Sequence, residues 1–282
     1  MAIALATKFA PYTDEQFKAE SKLSLITNKD FDWTGAHTVK VYKVSTVSMN
    51  DYGRTGAASG NWSRYGSIAD LGATTEEFTL SKDRSFIFNV DKLDEDETAQ
   101  QVQAASALAR QTREVIIPEI DSYVYGVMAS GAGTKATAKA LTATDIYNDI
   151  LDASKALDDA EIPETGRVLL VSPATYQLLK KSTDVVLETE TGADMRVKGV
   201  IGNLDGAAVI KVPANRLPEK FGFMLCHPSA TVAPVKLEDY NIHEDNIYSS
   251  GAVVTGRVCY GAFVLDNKKM GIYYQALAAS GS

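Results

Sequence analysis

Histidines, cysteines and clustered acids are the residues of this sequence best suited to chemistry. His37, His227 and His243 are scattered along the chain, and Cys226 and Cys259 each stand alone in an apolar run. No HxH, HExxH or CxxC spacing occurs, so no metal site is expected, and two reduced core cysteines are the favoured reading. The one nucleophilic pairing on offer is Ser172 or Ser229 with His227. It would need a hydroxyl–imidazole contact and an acid to orient the ring. No GxSxG elbow, phosphate-cradling loop or GxGxxG turn accompanies it. Asp91, Asp94, Glu95, Asp96 and Glu97 form an acidic cluster. A solvated strand end and helix start, favoured by the helix dipole, is the preferred reading over a cation site. Neither an enzymatic activity nor a cofactor is expected.

A second set of residues is suited to recognition. Between Ser48 and Thr75 five glycines punctuate the chain, and among them stand Tyr52, Arg54, Asn61, Trp62, Arg64 and Tyr65. Aromatic and arginine side chains are the usual anchors of protein interfaces. This set is therefore expected to touch a neighbouring subunit, the alternative being that Trp62 packs back on its own hairpin. The flanks, Thr38–Val47 and Glu76–Val90, read as strands and so as the legs of a long hairpin. Such a two-stranded arm is marginal in water alone, and its edges invite another chain. The pair Asp83–Arg84 ahead of the FIFNV strand is expected to make a specific ion pair.

Among the elements that must hold these residues, Asp94 to about Ser130 reads as one long amphipathic helix. Its expected inner face holds Val102, Ala105, Leu108, Ala109, Val115, Ile116, Ile120, Tyr123, Val124 and Val127. About 36 residues would reach roughly 54 Å, against a diameter of roughly 50 Å for a compact chain of this length. An elongated or L-shaped subunit is implied, with Pro118 as the place where this spine kinks or restarts. Residues 1–36 carry separated aromatic and aliphatic residues, with a short helix expected over Asp14–Leu25; this segment must lie on something else. Gly131–Lys139 reads as a small-residue linker. A helix over Ala143–Glu161 capped by Thr142 or Thr144, a strand at Val168–Val171, a helix from Pro173 and a strand at Ala207–Val212 suggest a strand–helix–strand domain over 140–220. The remainder reads as mostly β.

The composition is that of an ordinary soluble chain: 282 residues, 45% hydrophobic and 23% charged, with formal charge −8. An acidic chain lacks the clustered Lys and Arg that phosphate contacts require, so DNA would be tolerated rather than gripped. No apolar run reaches the length of a membrane span.

Four segments in order, GAHTVKVYKV, DRSFIFNVDK, REVIIPEIDSYVYGVMA and GRVCYGAFVLDNKKMGIYY, resemble the major capsid proteins of tailed bacteriophages, the Hong Kong 97 capsid fold. That resemblance implies an α+β subunit with an N-arm (1–36), an extended hairpin or E-loop (37–92), and a spine helix opening the peripheral domain (93–139). An axial domain (140–220) and further peripheral strands with a tail (221–282) would complete it. It implies hexamers and pentamers closing an icosahedral shell around double-stranded DNA, assembly as a procapsid in the host bacterial cytoplasm, a portal, and residence in the virion. Met1 close to the arm favours a separate scaffolding protein; decoration proteins are left open. The rival readings are an encapsulin-like nanocompartment shell and, remotely, an α/β hydrolase built on His227.

Overall fold

A computed structural model describes residues 20–28, 38–57, 63–92, 104–182, 202–243 and 250–278. Two compact units are present, one of residues 35–79 and one of residues 1–34 with 80–282.

The smaller unit is a hairpin. Strand β1 (Thr38–Val44) pairs antiparallel with β2 (Ala73–Thr79), Thr38 opposite Thr79 and Val44 opposite Ala73. The second leg expected over Glu76–Val90 divides at Leu80–Ser81. Its latter part, β3 (Lys82–Asp91), belongs to the larger unit.

In that unit β3 is an edge of a three-stranded antiparallel sheet, ordered β10 (Val235–His243), β11 (Gly251–Tyr260), β3. Period-two alternation sorts its faces. Val254, Val258, Tyr260 and Val90 are buried, while Ile87 and Arg257 are exposed. Gly256 is required because Phe86 lies across it: a Cβ there would come 2.3 Å from the ring.

The larger sheet has six strands, in the order β4 (Thr134–Lys139), β13 (Ile272–Leu277), β8 (Phe221–Cys226), β5 (Val168–Val171), β7 (Ala207–Lys211), β6 (Asn203–Leu204). The stretch expected as a linker is thus the edge strand β4, parallel to β13. Residue 220 marks no break in this sheet, since β8 pairs directly with β5. Asp205 and Gly206, both with positive φ, turn β6 into β7, the geometry of a tight hairpin turn. A two-residue pair, β9 (Thr231–Val232) with β12 (Phe263–Val264), completes the strands.

Helix α1 (Ala104–Gln111) runs through a π-helical turn, Thr112–Ile116, into α2 (Ile117–Gly131). The described helical run is therefore continuous through Pro118; residues 93–103 lie outside the described residues. Proline cannot donate an N–H, and its ring crowds the carbonyl four residues back, here that of Glu114. That carbonyl belongs to the π turn, where the ordinary i→i−4 ladder is already interrupted. Helices α3 (Ile146–Asp159) and α4 (Pro173–Lys181) follow.

Both faces of the six-stranded sheet are covered, which is why VLLV and FGFMLC carry no polar alternation. Val168, Leu170, Met224 and Cys226 pack with Val124, Tyr125 and Met128 of α2. Leu169, Val171, Phe223 and Leu225 pack with Ile146, Ile150 and Leu157 of α3 and Leu179 of α4. The buried stripe of α2 is therefore Asp121, Val124, Tyr125, Met128 and Ala129. It shares Val124 with the expected face, and Ile120, Tyr123 and Val127 of that face pack partly buried against the same core, whereas Ala105, Ala109 and Val115, ahead of α2, are exposed.

Candidate functional site

The hairpin carries most of the residues singled out for recognition. Its strands are tied by the ion pair Lys43–Glu76 at 3.0 Å and by Lys40–Glu77. Thr38 and Thr79 share a hydroxyl–hydroxyl hydrogen bond of 2.9 Å. At the far end the Gly53 amide donates to the Arg64 carbonyl at 2.9 Å, bringing the Tyr52 and Tyr65 rings edge to face at 5.1 Å. The Asn50 amide donates to the Tyr65 carbonyl at 3.3 Å. Gly66, at φ +95°, permits this, because a Cβ would strike the Asn50 side chain. The structure thus brings Tyr52, Arg64 and Tyr65 together and leaves Arg54 exposed nearby in sequence. Asn61 and Trp62 lie outside the described residues.

Sequence reading missed how much apolar surface this unit shows. Met49 is 99% exposed, Tyr65 78%, Tyr42 74%, Ile68 72% and Leu71 64%. Large aliphatic and aromatic side chains are thus exposed together on one small unit, more than a hairpin needs for its own packing. The signal was available in the sequence: apolar residues at Tyr42, Val44 and Val47 precede the glycine-rich stretch and Met49, Ile68 and Leu71 lie within it, too many for a hairpin with no second layer.

A buried polar node lies in the larger unit. Asp121 of α2 accepts from Arg216 at 2.7 Å and from the Ser21 hydroxyl at 2.6 Å. Both charged side chains are almost wholly enclosed, 2% and 3% exposed. Tyr125, one turn on, is buried beside them; desolvation first and the Asp121 charge second push its phenol well above the usual range. Ile26 sits in the core with no exposure, and the Asn28 amide donates to the Thr231 carbonyl at 2.7 Å. The segment 20–28 is thereby pinned to α2 and to β9. Only one turn of 3-10 helix, Leu23–Leu25, stands in the described part of the helix expected over Asp14–Leu25; residues 14–19 lie outside the described residues.

Asp83 and Arg84 do not pair with each other. Asp83 takes a bidentate hydrogen bond from Arg257 on β11, at 2.9 and 2.6 Å. The Arg257 guanidinium holds its carboxyl below the usual carboxylate range. Arg84 meets Glu119 of α2 at 2.8 Å, and the Tyr260 hydroxyl donates to the same carboxylate at 3.1 Å. Burial, then the Glu119 charge, raises the Tyr260 phenol to about 12.

The nucleophile candidates have structural duties. Ser229 and His227 do touch, Oγ to Nδ1 at 2.7 Å. The other ring nitrogen meets the Thr165 carbonyl at 3.2 Å, where a catalytic histidine would have its orienting acid. The same Nδ1 accepts from the Ser229 amide, which makes His227 the cap of the turn at Pro228–Ala230. Ser172 caps α4 by accepting from the Thr175 amide at 3.1 Å. Both cysteines are free, and burial raises the Cys226 thiol to about 12. Among the described residues no cluster of His, Cys, Asp or Glu is arranged to hold a metal, and no helix is long and apolar enough to cross a membrane.

The phage capsid protein family matches residues 73–275. The chain belongs to that family. Solved structures agree on the fold of this capsid protein. A chain of Mycobacterium phage Che8 superposes with TM-score 0.79 over 96% of both chains at 22% identity. The capsid structure of cyanophage P-SCSP1u gives 0.78 at 15% identity, covering 98% of this chain and 93% of that one. The mature capsid of bacteriophage PhiM1 gives 0.74 at 13%, covering 97% and 92%. No curated protein matches the sequence. The resemblance carried by the four segments is therefore borne out: this is a structural capsid shell protein of mixed helix and sheet, and neither rival reading is favoured.

Proposed function

We propose that this capsid protein is the major head protein of a tailed phage. It closes as hexamers and pentamers into an icosahedral shell around double-stranded DNA, which it encloses without reading sequence. The subunit first builds a procapsid on a separate scaffolding protein around a portal, in the bacterial cytoplasm, and ends in the virion; decoration proteins are a further partner class. It has no catalytic role. The family match over residues 73–275 carries this reading.

The hairpin serves as the E-loop, its exposed apolar residues and the tip set Tyr52, Arg54, Asn61, Trp62, Arg64 and Tyr65 lying on a neighbouring subunit. What supports this is chemical: burying those side chains is favourable by roughly 25 cal/mol per Å² of apolar surface, and they have no core of their own to enter. The segment before residue 37 serves as the N-arm, with 20–28 as its root. Helices α1 and α2 form the spine, and any bend on maturation falls at the π turn beside Pro118, since a π turn is a local defect in the helical ladder.

Deleting Tyr52–Ser67 tests the reading. Purified subunits should keep their circular dichroism spectrum and unfolding midpoint, yet form no closed shells by electron microscopy. Normal particles from the deletion would remove the E-loop assignment.

A further inference from the structure

We propose that the cleft between the π turn and the three-stranded sheet is a binding site for a small, uncharged aromatic molecule carrying one hydrogen-bonding group. The cleft is lined by Gln111, Val115, Ile116 and Glu119 on the helix and by Phe86 and Tyr260 among the sheet residues, and encloses about 130 Å³. A closed apolar cavity of about 150 Å³ holds one benzene ring; this cleft is open to solvent and mixed in lining, but its volume is likewise of single-ring size.

Its shape follows from the helix. A π turn inserts one residue into the helical repeat, so side chains after it no longer stack on those before it. Val115, inside the turn, is 46% exposed although it lines the cleft. The gap it leaves is walled by aliphatic groups from Val115, Ile116 and Val258, with the Phe86 and Tyr260 rings alongside. Ring surfaces of this kind favour edge or offset contact with another ring.

The polar rim selects the ligand's charge. Arg84 and Glu119 neutralise each other at 2.8 Å, and Glu119 also accepts from Tyr260. With its pKa near 12, Tyr260 stays protonated and uncharged across the physiological range. Gln111 adds a neutral amide. A carboxylate ligand would meet Glu119, and an ammonium ligand would meet Arg84. Either would have to compete with the existing pair, which is partly exposed and so only modestly strong, whereas a neutral ligand leaves it intact. A primary amide suits both signs: its N–H groups donate to Glu119 and its carbonyl accepts from Arg84 or Gln111. Benzamide is the simplest probe, and a ligand this small should bind with Kd on the order of 1 mM.

The test is a titration of benzamide into the unassembled full-length subunit, read by methyl NMR of Val115, Ile116 and Val258. Saturable shifts of these three methyl sets are expected. Benzoate and benzylammonium should bind a few-fold more weakly, because each competes with the Arg84–Glu119 pair that benzamide leaves intact. Val115→Phe fills the cleft from a position exposed enough to keep the fold, and should abolish the shifts while leaving the unfolding midpoint within a few degrees. A charged analogue binding as tightly as benzamide, unaltered binding by Val115→Phe, or no saturable shift in the wild type would each overturn the proposal.

Discussion

Replacing either member of the Asp121–Arg216 pair should destabilise the subunit far more than replacing both. At 2.7 Å the two charges attract by about 6 kcal/mol at an effective dielectric constant of about 20. Each also loses several kcal/mol of hydration by being buried. The pair therefore contributes little net, but a survivor that loses its counter-charge keeps its desolvation cost with much less to offset it: Asp121 would retain the Ser21 hydroxyl. Asp121→Leu alone and Arg216→Met alone should each cost about 3–5 kcal/mol. The double variant, with apolar side chains of similar volume, should lie within about 2 kcal/mol of wild type. The coupling energy from the cycle would then be at least about 4 kcal/mol. Urea unfolding of the unassembled subunit, followed by tyrosine fluorescence and circular dichroism together, gives the four stabilities. Since a domain is typically stable by only about 5–15 kcal/mol, the single variants should show a large loss of midpoint. A double variant as unstable as the sum of its singles would refute the reasoning, and would mean that the two side chains act independently.

Ser21→Ala removes a hydroxyl that donates to a buried carboxylate and should cost about 1.5–3 kcal/mol in the same assay, unless the segment 20–28 contributes nothing to the subunit. Met128→Asp, in the fully buried stripe of α2, should cost about 4 kcal/mol or more, whereas Ala105→Asp on the exposed side should be nearly silent. Alkaline pH should unfold the subunit early. Cys226, Tyr125 and Tyr260 all have folded pKa values raised above their unfolded values of about 9 and 10. Their neutral forms are favoured by the fold, so this stability is whole below pH 9 and is lost as the pH rises from about 9 toward 12; a thermal midpoint that holds steady across that window would contradict the burial. His227→Ala should leave shell formation intact by electron microscopy, with loss limited to the local turn it caps.

Much of the fold was legible because its signals are local. Val168–Val171 is apolar throughout, and a strand covered on both faces needs no alternation. Ser172 followed by Pro173 announces a helix start, and Ser172 is its cap. Phe86, Phe88 and Val90 alternate as a one-sided strand should. The misreadings share a cause. TKATAK looks like a linker because an edge strand buries little side-chain area, and its place depends on backbone pairing with β13, more than 130 residues away. The break at Leu80–Ser81 carries no glycine or proline to announce it. The π turn has no composition of its own, and the expected stripe meets the core after it, at Ile120, Tyr123, Val124 and Val127, but not up to it, where Ala105, Ala109 and Val115 are exposed. In the candidate interface, the residue types at the hairpin tip pointed to recognition. The Asp121–Arg216 node was invisible, since two charges 95 positions apart leave no trace in a single sequence.

The placing of β13 has a kinetic consequence. Residues 272–277 occupy an interior place in the six-stranded sheet, between β4 and β8. While the chain is being made, β5, β7 and β8 emerge first, and one side of β8 waits for a partner that has not yet been translated. At about 5–20 residues per second, the roughly 46 residues between β8 and β13 take about 2–9 s. During that interval β8, apolar along its length, presents an open edge of the kind that pairs promiscuously with other chains. Neighbouring nascent subunits on one message are the nearest such chains. The fold therefore rewards occupancy of the β8 edge by a chaperone during synthesis, and makes ribosome spacing a variable in the yield of assembly-competent subunits.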